Sequence, residues 1–144
     1  MTEPTQSQVD QLTQAFGTFT RRFKVAEAAA AAENALNPLD AQTLIYVRDH
    51  PGCGLSDVAR YLNVAITTMS SATARLVRKA LIERRRPADD RRSVALSATE
   101  KGGNVVDDHI AAYRETSRWM LRALDREEQE QLIRLTEKIA SSEP

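Results

Sequence analysis

Residues 55–99 constrain this chain more than any other stretch: LSDVARYLNVAITTMSSATARLVRKALIERRRPADDRRSVALSAT. Val58, Ala59 and Leu62 lie at helical spacing, and Met69, Ala72 and Leu76 repeat it, which predicts two short helices in succession. Ser56 is the expected cap of the first. Asn63, after it, tolerates the left-handed conformation that ends a helix. Leu81 and Ile82 open a strand, the run Pro87-Ala88-Asp89-Asp90 has turn chemistry, and Val94 and Leu96 alternate in a return strand. In a helix-turn-helix the second helix lies in the DNA major groove, and a basic hairpin beside it reaches the neighbouring backbone or minor groove. Two surfaces aimed at one ligand imply a DNA-binding regulator.

The formal net charge of the 144 residues is zero. Distribution matters more than the sum, because exposed charges are screened within about 10 Å. Between residues 75 and 92, Arg75, Arg78, Lys79, Arg84, Arg85, Arg86, Arg91 and Arg92 face only Glu83, Asp89 and Asp90. From residue 125 onward the balance reverses, with Asp125, Glu127, Glu128, Glu130, Glu137 and Glu143 against Arg126, Arg134 and Lys138. The length suits one ordinary domain with a real core. A 28% share of charged residues beside 42% hydrophobic ones argues against both disorder and a membrane span. The start, MTEPTQSQVDQ, shows no basic segment followed by an apolar run, so no secretory signal is visible. A soluble cytoplasmic protein is expected, with no membrane partner.

The flanks are helical. Val9, Leu12, Phe16, Phe19 and Phe23 step by three and four on one long helix that continues through the alanine run towards Asn37 and Pro38. Residues 39–47 read as a short second helix. Thr99 caps a long helix with a stripe of Val106, Ile110, Tyr113, Met120 and Leu124; Tyr113 and Trp119 read as dimer-core or pocket-wall residues, with helical spacing favouring the core. Gly102 and Gly103 in its first turn are costly for a helix, and close packing against the base of the hairpin is their expected use. Asp125 and Glu128 cap a last helix bearing Leu132, Leu135 and Ile139. The end helices carry apolar stripes far in sequence from the central unit, and a second copy of the chain is the economical partner for them.

The segments SDVARYLNVAITTMSSATARLVRKALIERR and DDRRSVALSATEKG resemble the MarR family of winged helix-turn-helix transcriptional regulators. The resemblance covers the central third closely, and element order extends it over nearly the whole chain. It implies a mainly α fold with a small β-hairpin wing and long N- and C-terminal dimerisation helices. The expected division is residues 1–36, 37–98 and 99–144, in one structural domain. It also implies a homodimer on palindromic promoter DNA, most often a repressor, released by a small aromatic or anionic effector.

Carried over by position, Ile66, Thr67, Thr68, Ser70 and Ser71 face base edges, Arg75 meets phosphate, and Arg91 probes the minor groove. Asp90 pairs with Arg92 to shape the wing tip. Arg84, Arg86 and Arg92 add phosphate contacts around the wing. Phe23, Tyr46, Arg48 and His109 are candidates to line an effector pocket, with simple packing or solvent exposure as the open alternative. The chain departs from the family pattern in three ways. Ala65 stands where a serine cap is usual, Ala80 replaces a glycine, and the recognition face lacks arginine, lysine, asparagine and glutamine, the strongest base readers. Wing contacts and DNA shape are therefore expected to carry much of the specificity.

Other chemistries find little support. Cys53 is a lone cysteine, expected to pack in a loop rather than sense oxidants. His50 and His109 form no cluster with metal-ligand spacing, so neither metal nor cofactor is expected. No nucleophile and base are paired, so the chain reads as a non-enzyme. The alternative to a specific regulator is a ligand-independent architectural or partner-binding winged-helix protein with weak sequence specificity.

Overall fold

The computed structural model describes residues 2–31, 36–86 and 94–142. Its elements are α1 (Gln6–Ala31), α2 (Pro38–Asp49), α3 (Leu55–Leu62), α4 (Ile66–Arg78), β1 (Ile82–Arg85), β2 (Ala95–Ala98), α5 (Glu100–Arg122) and α6 (Arg126–Ala140). The chain falls into two compact units, Met1–His109 and Ile110–Pro144.

Local chemistry accounts for most helix ends in the first unit. Asn37 is extended and its side chain accepts the Asp40 N–H at 2.8 Å, while Pro38 needs no donor at the first helical position. Asn63, at φ 54°, closes α3 in the left-handed region. The expected cap at Ser56 is corrected: α3 begins after Gly54, whose N–H donates to the Asp57 carboxylate at 2.8 Å, and Ser56 lies exposed one position inside the helix. An acidic side chain three residues on can take that N–H without a capping hydroxyl.

The core of this unit is a triangle of α2, α3 and α4 closed by the hairpin. Leu44 and Val47 of α2, Val58 and Ala59 of α3, and Met69, Ala72 and Leu76 of α4 are buried together with Leu81, Ile82, Leu96 and Val106. Leu62, expected with them, is only half-buried. β1 and β2 run antiparallel, with Ile82 opposite Ala98 and Arg84 opposite Leu96. Cys53 pairs with the other edge of Leu96 through bonds of 2.8 Å from Gly52 N–H to Leu96 O and from Leu96 N–H to Cys53 O. The loop before α3 is thus stitched to the wing.

Gly102 has a clear role. A Cβ there would overlap the Leu81 carbonyl oxygen and lie 3.0 Å from its carbon, so only glycine lets α5 start this close to the hairpin base. Gly103 has open space where a Cβ would be, so the packing expected of both glycines belongs to Gly102 alone. In the second unit, Asp125 accepts the Glu128 N–H and Glu128 accepts the Asp125 N–H, both at 2.9 Å. That first bond, then the contact with the Glu128 side chain, holds the Asp125 carboxyl below its ordinary range. Among the described residues of α6 none is buried, and Ile133, Leu135 and Ile139 stand exposed. Tyr113 and Trp119, read from the sequence as dimer-core or pocket-wall residues, are exposed too.

Candidate nucleic-acid interface

Helix α4 has two faces of opposite character. Met69, Ala72, Thr73 and Leu76 are buried, while Ile66, Thr67, Thr68, Ser70 and Ser71 are exposed. Thr73 can be buried because its hydroxyl donates to the Met69 carbonyl at 2.6 Å. The outer face offers small hydroxyls and, at its start, the half-exposed side chain of Ile66. Such groups suit polar contact with several base edges and apolar contact with thymine methyls. The Ser71 hydroxyl donates back to the Thr67 carbonyl at 3.2 Å, which leaves it acting outward chiefly as an acceptor. Ala65 is extended at the cap of α4 and supplies no side-chain bond, so the first backbone N–H groups of the helix have no side-chain cap.

The basic residues divide between the two surfaces. Arg78 is exposed at the last turn of α4. Arg84 and Arg85 are exposed on β1, with Arg86 exposed just after it, and Arg85 lies 3.6 Å from Glu83. Asp90, Arg91 and Arg92 lie outside the described residues. Arg75 is placed differently from the expectation that it meets phosphate. Its Nε and Nη2 donate to the two oxygens of Asp40 at 3.0 and 2.8 Å, and these bonds push the guanidinium pKa up.

Tyr46 and Arg48, two of the four candidate effector residues, turn to separate neighbours. Phe23 stacks on Phe19 along α1 with ring centroids 6.1 Å apart. Tyr46 stacks on His50 at 4.1 Å and leans on Tyr61 of α3 at 4.7 Å. Arg48, two residues on, points instead to α5, where it pairs with Asp107 and reaches the Gly103 carbonyl. His109 is half-buried on α5. No group of histidine, cysteine, aspartate and glutamate among the described residues could hold a metal ion. No described helix is long and apolar enough to cross a membrane.

Residues 36–102, the stretch from the start of α2 to the first turn of α5, match the family model of a winged helix DNA-binding domain. The chain is 27% identical over 99 residues, 69% of each sequence, to the HTH-type transcriptional regulator BilQ of Clostridium symbiosum. Among solved structures, the transcriptional regulator SlyA superposes with a TM-score of 0.75 at 23% identity, covering 90% of this chain and 91% of that one. MarR itself gives 0.75 at 18% identity, with 90% and 94% covered. The chain has the winged-helix fold of these structures. S. aureus MepR, 25% identical, matches as a mutant bound to an oligodeoxyribonucleotide (TM-score 0.67, 90% and 96% covered) and as the protein bound to ethidium bromide (0.66, 90% and 94% covered).

Three contacts of this winged-helix unit escape sequence reasoning: Asp40 with Arg75, Arg48 with Asp107, and the Tyr46, His50 and Tyr61 cluster. Each joins separate helices or a helix and the loop after it. Asp40 alone left a signal, as a carboxylate in the first turn of a helix that the structure buries.

Proposed function

We propose that this transcriptional regulator acts as a homodimer that binds palindromic promoter DNA with sequence specificity, represses from it, and is released by a small effector. The observation that carries this reading is the exposed hydroxyl face of α4, mounted on a fully buried opposite face and placed beside a run of exposed arginines on β1. Thr67, Thr68, Ser70 and Ser71 read base edges, with Ile66 on thymine methyls. Arg84, Arg86 and Arg92 meet phosphates, Arg91 enters the minor groove, and Asp90 with Arg92 shapes the wing. Binding of an oligodeoxyribonucleotide by a MepR mutant at 25% identity supports the choice of ligand.

Dimerisation rests on exposed apolar side chains: Val9, Leu12 and Phe16 on α1, Tyr113 and Trp119 on α5, and Ile133, Leu135 and Ile139 on α6. Segments 1–36 and 99–144 carry the dimer contact in this reading. Two recognition helices then enter major grooves about 34–36 Å apart, which requires a two-fold symmetric site. The effector class is small and aromatic or anionic. Ethidium bound to MepR supports an aromatic ligand, and Phe23, Tyr46, Arg48 and His109 stay its candidate contacts. The protein works in the cytoplasm and is not an enzyme; BilQ and SlyA are named as regulators.

A second reading, an architectural or partner-binding protein of weak specificity, is favoured only by the absence of strong base readers on the face of α4 that carries Ile66, Thr67, Thr68, Ser70 and Ser71. Selection of genomic fragments by the purified chain at about 150 mM salt separates the two, since low salt exaggerates non-specific binding. A recovered palindrome is the expected result. Equal affinity for random and genomic duplexes would establish the second reading instead.

A further inference from the structure

Asp40 is a carboxylate with 1% of its surface exposed, set in the first turn of α2. Its backbone N–H is used by Asn37 and both of its oxygens by Arg75. A buried, unpaired carboxylate is strongly unfavourable, so the guanidinium is the partner that makes this position tenable. Arg75 sits in the last turn of α4, one helical turn beyond Ser71 and two beyond Thr67. Its side chain leaves the edge of the outward face and runs back to α2. A second polar tie joins the same two helices nearer the start of α4, where the buried Thr43 hydroxyl contacts the Met69 sulfur at 3.6 Å.

Helix packing by apolar side chains alone tolerates small rotations and slides, because dispersion and burial are non-directional. A side-on guanidinium–carboxylate pair is directional and planar, and so restricts both. We propose that Asp40 and Arg75 form one positioning unit that sets the rotation of α4, so that Arg75 governs base discrimination by Thr67, Ser70 and Ser71 rather than binding phosphate. This rests on α4 being the helix that reads DNA. Among the described residues, Arg75 is the arginine of α4 with a side-on carboxylate partner.

The test titrates the full-length chain by fluorescence anisotropy against the selected duplex and a random duplex, between about 50 and 300 mM salt. Variants are Arg75→Gln, Asp40→Asn, both together, and Arg75→Lys, with Arg84→Gln as a phosphate-contact comparator and thermal melts to verify folding. Each single change is expected to weaken binding of the selected duplex about tenfold, with the double no worse than either single. Affinity for the random duplex and the salt slope stay at wild-type values. Arg75→Lys fails like Arg75→Gln, because an ammonium cannot take both carboxylate oxygens side-on.

A salt slope lowered by about 0.9 in Arg75→Gln, as expected of Arg84→Gln, with equal losses on both duplexes overturns the proposal. So does wild-type discrimination by Arg75→Lys or Asp40→Asn. If a single neutral variant fails to fold, the double variant and Arg75→Lys decide the question alone, since neither leaves a full charge buried without a partner. A wild-type chain that treats both duplexes alike overturns the DNA-reading assignment and this proposal with it. A discriminating wild type with uncoupled variants overturns this proposal only.

Discussion

The Thr99 hydroxyl donates to the Ala80 carbonyl at 2.6 Å and accepts the Gly102 N–H at 3.0 Å, so one side chain joins the end of the recognition helix to the start of α5. Ala80 holds φ +60°, a left-handed conformation that an alanine adopts only under strain. The Ala80 N–H is bonded to the Val77 carbonyl at 3.0 Å and the Leu81 N–H to Leu76 at 3.0 Å, the pattern of a helix closed by a left-handed residue. The chain keeps that geometry without the glycine that suits it, and the Thr99 bond helps hold it there.

Ala80→Gly therefore relieves strain. The left-handed conformation costs alanine about 1–2 kcal/mol, and the added freedom of the unfolded glycine chain returns about 0.5–1 kcal/mol of that. The net gain is roughly 0.5–1 kcal/mol, read as a rise of a few degrees in Tm. An unchanged or lower Tm would show that Ala80 is not strained.

Gly102→Ala and Gly103→Ala should differ in sign although they are neighbours in one helix. At Gly102 the new methyl meets backbone at Leu81, which cannot swing aside, and the loss is about 1–3 kcal/mol. At Gly103 nothing lies within 4 Å, and alanine gains up to about 1 kcal/mol of helix propensity. Urea denaturation of the two variants gives the comparison directly; parallel shifts would contradict it.

Ala65→Ser supplies the absent cap of α4. The serine hydroxyl can accept an N–H in the first helical turn, worth about 1 kcal/mol. Slower hydrogen exchange at Thr67 and Thr68 is the expected sign, since those amides have no intrahelical acceptor and the hydroxyl would supply one. Exchange equal to the parent chain would mean the hydroxyl makes no cap.

Base reading by α4 predicts that Thr67→Ala or Ser70→Ala lowers affinity for the selected duplex several-fold and leaves the random duplex nearly unaffected, a change of about 1 kcal/mol in discrimination. Arg91→Ala, in the wing tip, should weaken binding and reduce preference for A·T-rich flanks. Competition titrations at fixed salt measure both; uniform losses across sequences would assign these residues to backbone contact.

Cys53 is half-buried beside Asp57, and burial first, then that negative charge, raise its thiol pKa. The unfolded chain therefore gives up this proton first, so the contribution to stability is full below about pH 8.5, the ordinary thiol value, and is lost as pH rises past it. At pH 7.5 iodoacetamide should alkylate Cys53 more slowly in the folded chain than in urea. A faster folded-state reaction would mark an activated thiol.

The sequence by itself determined where helices and strands form and which face of each is apolar. Those properties depend on residues three, four or two positions apart. The buried Met69, Ala72 and Leu76, the left-handed Asn63 and the Asp125 and Glu128 cap were all legible from neighbours within one turn. The first helix of the turn shows the limit of that range: Ser56 looks like a cap, and only the backbone shows that Asp57 takes the Gly54 N–H instead.

Tertiary structure decided what the local pattern leaves open. Arg75 reads as one more cation in a basic window, and its partner lies 35 residues away on another helix. Tyr46 and Arg48 look like neighbours in one pocket, yet a helix turns side chains two apart to nearly opposite sides, here towards α3 and α5. Gly102 and Gly103 are equal in sequence and unequal in space, because only one faces the Leu81 carbonyl. Periodicity specifies which side of an element is buried, whereas the angle and register at which elements meet specify its partner.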